Sequence, residues 1–193
     1  MFKRTVQVAV IAALTFAFVA QASAMKCAGV ELPDKKTVDG QELVLNGMGI
    51  REATIFSVNV YVAGLWVKEK SSDGNAIASS DSPRHLELHF VRDVAKHKIV
   101  DAYRESFNKM AGDQKKEMKP KIEKLLGWMV AAKDGKSQIY TYIPGEGLTV
   151  KVHGQTKGTI KGADFAEAFF KIWLGPSPPN AGLKRGLLGG TCG

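Results

Sequence analysis

With 193 residues, 45% of them hydrophobic, the chain is long enough to bury one sizeable core and short for two domains. Its formal net charge of +8 invites an acidic partner, yet no recognisable nucleic-acid-binding motif accompanies the charge, so nucleic acid is not an expected partner. There is also no GxSxG elbow, HExxH helix motif, phosphate-cradling glycine loop or CxxC, and no cofactor or metal is expected.

The first residues read as a leader. Lys3 and Arg4 precede an apolar run over residues 6–20, and Ala22-Ser23-Ala24 follows as a small-x-small cleavage site, the pattern of a secretory signal peptide. A membrane-spanning helix needs about 20 apolar residues, more than this run supplies. Lipid attachment at Cys27 is disfavoured because Lys26 stands where such signals have a small residue. The expected division is a signal peptide over residues 1–24 and one domain over 25–193, periplasmic or secreted, with no transmembrane anchor after cleavage. Loss of Lys3 and Arg4 leaves a charge of +6. In an oxidising compartment Cys27 and Cys192 either pair, tying the two ends together, or remain unrelated thiols. Closing so long a loop would stabilise the fold by about 4 to 5 kcal/mol.

Residues 42–68 read as two strands. In the second, Phe56, Val58, Val60, Val62 and Trp66 fall on one face, expected as core. Ser57, Asn59, Tyr61, Ala63 and Leu65 fall on the other, a mixed face suited to a ligand or a second layer. Gly64 marks a bend or a close backbone approach. A connection over residues 71–83 holds a short helical turn at 76–79, and RHLELHFVRD is a third strand.

Asp93 is expected to cap a helix carrying Ile99, Tyr103, Phe107 and Met110 at helical spacing, broken by Gly112. A second helix is expected over residues 118–132, with Pro120 in its first turn and a lysine-rich outer face. Residues 137–162 alternate with period two and turn at residues 144–147 and near Gly154, which predicts an antiparallel meander. FAEAFFKIWLG is a helix with Phe165, Phe169, Ile172 and Trp173 inward, and Asn180 is expected to cap a last short one. The order argues α+β, a mainly antiparallel sheet under a helical layer.

Arg51 and Tyr61 are the leading site candidates. On neighbouring strands, a guanidinium fork and a phenol can converge on one carboxylate or enolate. Asn59, Tyr103 and Phe107 are placed with them as ligand-binding residues. His85, Glu87 and His89 form an HxExH along one strand, but nothing nearby completes a metal-ligand set, and the face reads as solvated.

Three segments carry a resemblance: GMGIR with the strand VYVAGLWV, HLELHFVRDV leading into AYRESFNK, and KGADFAEAFFKIWLGPSPPNAGLKRGLLG. In this order and spacing they resemble the chalcone isomerase-like family, in particular its bacterial exported branch. The resemblance implies an open-faced sandwich, a large antiparallel sheet with helices on one side and a cleft between. It further implies that Arg51 holds the anionic part of a ligand. Tyr61 stands where fatty-acid-binding members have a tyrosine and the enzymes a threonine. Ile172 falls where the enzymes carry a threonine or serine, Met110 where they carry an asparagine, and Tyr103 is the counterpart of a helical tyrosine. The expected ligand is therefore a small apolar molecule with an anionic head, a fatty acid foremost. The alternative is an intramolecular lyase or isomerase acting on a conjugated carbonyl compound, with Arg51 stabilising an enolate and Tyr61 or Tyr103 relaying a proton. The incomplete polar network points away from flavonoid cyclisation.

Overall fold

The computed structural model describes residues 24–53, 58–109 and 112–192. The expected leader lies outside them apart from Ala24, as do Phe56, Ser57 and Met110. Among the described residues no helix is long and apolar enough to cross a membrane.

The chain opens with three short strands, β1 (Ala24–Cys27), β2 (Val30–Pro33) and β3 (Lys35–Val38), then two long ones, β4 (Gln41–Ala53) and β5 (Val58–Val67). Helix α1 (Gly74–Ser79), strand β6 (Arg84–Phe90) and helices α2 (Lys96–Asn108) and α3 (Gly112–Trp128) follow. The meander β7 (Ser137–Ile143), β8 (Gly147–Val152) and β9 (Gln155–Ile160) precedes α4 (Ala163–Leu174) and α5 (Ala181–Leu187). Strands β3 to β9 form one seven-stranded sheet in sequence order, every pairing antiparallel, while β1 and β2 make a separate hairpin. The architecture is α+β, as the element order implies.

At β4 and β5 both faces of the sheet are buried, each under a different layer, whereas the outer face of β7 to β9 is half-buried to exposed. Tyr61, Ala63, Leu65 and Val67 face the helices and belong to the main core, with Phe165, Phe169 and Trp173 of α4. Val62 and Trp66 face the other way, into a smaller core with Leu32, Leu43, Leu45, Met48 and Cys27 beneath the hairpin. Cys27 and Cys192 are joined by a disulfide, Cα to Cα 5.9 Å across 165 positions. The close approach expected at Gly64 is that of Leu32 from the hairpin.

Two local expectations are corrected, at Asp93 and Pro120, and a third, at Asn180, is met in position but with a different side-chain bond. Asp93 does not cap α2, whose N-cap is Ala95 without a side-chain bond. Instead it accepts from Lys133 Nζ at 2.6 Å and from the Asp134 amide at 2.9 Å, clamping the two loops that also share the Val94–Ala132 bridge. Asn180 does occupy the N-cap of α5, but its Nδ2 donates to the Ile50 carbonyl at 3.1 Å and so fastens the helix to β4. Helix α3 begins at Gly112, so Pro120 lies inside it. Pro120 leaves the carbonyl of Lys116 without its amide donor, and Lys116 and Pro120 are both exposed residues.

The face of β6 read as solvated is largely covered. Lys36 of β3 stands over the Trp66 ring at 4.1 Å, pairs with Glu87, and donates to His85 Nε2 at 3.3 Å, leaving Nδ1–H of His85 to donate to Thr141 Oγ1 at 2.9 Å. Burial, and then the Lys36 ammonium, lower the His85 pKa from 6.5 to about 4. A histidine held neutral in the folded state binds its proton more readily when unfolded, so its contribution is complete above pH 6.5 and is lost as pH falls toward 4. Urea midpoints should drop across that window by an amount worth on the order of 2 to 3 kcal/mol, and His85→Asn should flatten the slope there. An unchanged slope in that variant would assign the acid sensitivity elsewhere.

Candidate functional site

The sheet positions the site through two bulges. In β4 and β5, Gly47 pairs with Leu65, Gly49 with Ala63 and Arg51 with Tyr61, so these residues share the helix-facing side. The bare backbones of Gly47 and Gly49 lie against α5: a Cβ on Gly49 would stand 2.4 Å from the Leu183 carbonyl oxygen. Arg51 is the next residue of that row and carries its side chain just past the end of the docked helix. Beyond it the register slips, pairing Glu52 with Asn59 and leaving Val60 unpaired. The bulge brings Val58 and Val60 to the same side as Tyr61, where the two-residue period alone would have sent them to the opposite face.

These residues line a cavity of about 510 Å³ between the sheet and helices α2 and α4, within the range of about 300 to 1,000 Å³ common for small-molecule sites. Its apolar walls come from Val58, Val60, Leu88 and Phe90 of the sheet and Ile99 and Ile172 of the helices. Arg51, Arg92, Lys98 and Lys109 add positive charge around it, with Asp93 and Glu105 among them. The two carboxylates are already engaged, Asp93 with Lys133 and Glu105 with Lys109. Arg51 is half-buried and donates through Nη1 to the Glu52 carbonyl. No carboxylate among the described residues pairs with it.

Tyr61 is 9% exposed and accepts from Trp173 Nε1 at 3.0 Å, which fixes its ring. No acceptor among the described residues takes the Tyr61 proton. Burial pushes its pKa up to about 12, against the smaller opposing effects of the Trp173 bond and the Arg51 charge, so it remains a donor throughout the physiological range. A guanidinium and a neutral phenol, directly opposite each other in the sheet, make a donor set for one anionic oxygen group.

Of the other expected site residues, Tyr103 lines the cavity. Asn59 and Phe107 do not. Asn59 is exposed because the bulge at Val60 turns it to the opposite side, and Phe107 is buried in the core, stacked on Phe165 at 6.1 Å. Sequence reasoning missed Gln138, which lies on the cavity wall at 1% exposure. Its signal was present: in SQIYTYI it shares the inward register with Tyr140 and Tyr142. The histidines of the HxExH are engaged with neighbours, His85 with Lys36 and Thr141, His89 with Ser137. Among the described residues no group of three or more His, Cys, Asp and Glu is placed to hold a metal ion.

A chalcone isomerase-like family profile matches residues 24–189. In fold the chain is similar to the crystal structure of a fatty-acid binding protein of Arabidopsis thaliana, with a TM-score of 0.67 and 13% sequence identity, over 86% of this chain and 96% of that one. No curated protein matches the chain.

Proposed function

The chain belongs to the chalcone isomerase-like family, and on that premise we propose that it is exported and binds an apolar molecule with an anionic head, a fatty acid foremost, in the cavity between sheet and helices. One observation carries this reading: Arg51 and Tyr61 face each other across β4 and β5 on the wall of an otherwise apolar cavity. The head group lies between guanidinium and phenol, and the tail runs inward along Val60, Leu88, Phe90 and Ile172. Head groups are favoured there because Arg51 and Tyr61 are fixed donors before any ligand arrives, so little ordering is needed on binding. The plant protein that shares the fold is a fatty-acid binding protein, which fits this ligand class. Cyclisation of a conjugated ketone has less support. Ile172 brings no polar group to the cavity, and burial keeps the phenols of Tyr61 and Tyr103 protonated and unsuited as bases at neutral pH.

Native mass spectrometry of protein purified from cells should show a co-purified lipid. Arg51→Ala should weaken fatty-acid binding roughly 10- to 100-fold, the worth of a charge-assisted hydrogen bond of about 1.5 to 3 kcal/mol. Retention of the same lipid at wild-type occupancy by the variant would overturn the assignment.

A further inference from the structure

Gln138 has hydrogen-bonding capacity that the described residues leave unused. Its Oε1 accepts from Tyr140 Oη at 2.9 Å and lies 3.4 Å from Tyr103 Oη, and the two phenol oxygens are themselves in hydrogen-bond contact. Nε2 has no partner. Each phenol has one proton: Tyr140 gives its own to the amide oxygen and Tyr103 gives its own to Tyr140, which leaves both amide protons unused. Turning the amide over only moves the deficit: Nε2 then donates to Tyr140, whose own proton goes to Met129 Sδ at 3.8 Å, while Oε1 goes without. In either orientation one polar position of this cavity-lining side chain is unmet.

The register places this position well away from Arg51. Tyr61 pairs with Phe90 and Leu88 with Gln138, so Gln138 is two strands across from Tyr61 and two residues along. At about 4.8 Å between strands and 3.4 Å per residue, its backbone is roughly 12 Å from that of Tyr61 and roughly 16 Å from that of Arg51. A tail whose head is held at Arg51 passes it partway along.

We infer that the ligand carries a second oxygen, a hydroxyl in the middle of its apolar chain, held by Gln138 and Tyr103 while Arg51 and Tyr61 hold the anionic head. The ligand class is then a hydroxylated fatty acid. A hydroxyl both donates and accepts, so it completes the Gln138 site in either amide orientation, which a ketone or ether does not. This rests on the binding function proposed above and adds to it the choice among acids.

Oleic acid and ricinoleic acid differ by one mid-chain hydroxyl and make the test. By titration calorimetry the wild-type protein should bind ricinoleate roughly fivefold to tenfold tighter than oleate, the worth of one net hydrogen bond. Gln138→Leu should bring that ratio to about one by weakening ricinoleate alone, and Arg51→Ala should weaken both acids by the same factor. Equal affinities in the wild-type protein, or a preference for oleate, overturn the inference and leave the fatty-acid reading standing. Binding of neither acid overturns both. A ratio that survives Gln138→Leu moves the hydroxyl contact elsewhere and also overturns it.

Discussion

Cys27→Ala with Cys192→Ala is expected to lower the unfolding free energy by about 4 to 5 kcal/mol and the melting temperature by roughly 10 °C. The bond spans 165 positions, so in the unfolded chain it removes most of the freedom the two ends would otherwise have. In the folded chain it fastens the β1–β2 hairpin, which the small core around Leu32 and Trp66 and the bond from Trp66 Nε1 to the Pro33 carbonyl at 2.9 Å also hold to the sheet. Fatty-acid affinity should change less than twofold, because that core lies on the sheet face opposite the cavity. Thermal melts of the wild-type protein with and without reductant check the same quantity without mutation. A reduced protein that melts within about 2 °C of the oxidised one would show that the folded ends hold together without the bond.

Much of this architecture is legible in the sequence because the period of the apolar residues is set by the element. The alternation of RHLELHF and the helical stripe of FAEAFFKIWL can each be satisfied in only one way. What is not legible is what a period cannot encode. A bulge has no compositional mark, so the single unpaired residue Val60 moved Val58 and Val60 to the cavity side and carried Asn59 off it. Strands of four residues, such as β1, β2 and β3, are too short to display alternation, and no element was expected between residues 25 and 41. Phe107 and Tyr103 share one stripe of α2, and only the depth of the cavity separates a residue that lines it from one that packs against Phe165. Arg51 and Tyr61 were readable because a charged and a phenolic side chain in apolar strands need a reason to be there. Gln138 was equally readable by that rule.

Gly47→Ala should destabilise the protein by about 3 to 5 kcal/mol and weaken fatty-acid binding with it. The added methyl would lie 2.1 Å from the Gly186 carbonyl oxygen, and the obstacle is backbone, so no side-chain rotation relieves it. Helix α5 has to lift from β4. Lifting it exposes Leu183 and Leu187, both fully buried, and pulls Leu187 away from Asn46 Nδ2, which donates to its carbonyl at 2.7 Å. The same lift loosens the Asn180 bond to Ile50 and moves Pro179, a cavity residue one position before the cap, so the effect reaches Arg51 along the chain. Gly127→Ala provides the opposite sign as a control. It stands exposed in α3 with nothing within 4 Å of the added methyl, and a helical alanine should raise stability by about 0.5 to 1 kcal/mol. Urea unfolding of the two variants beside the wild-type protein decides it. A loss below about 1 kcal/mol for Gly47→Ala would mean that α5 can ride higher on the sheet, and the bare strand would then no longer explain how Arg51 comes to stand at the edge of the cavity.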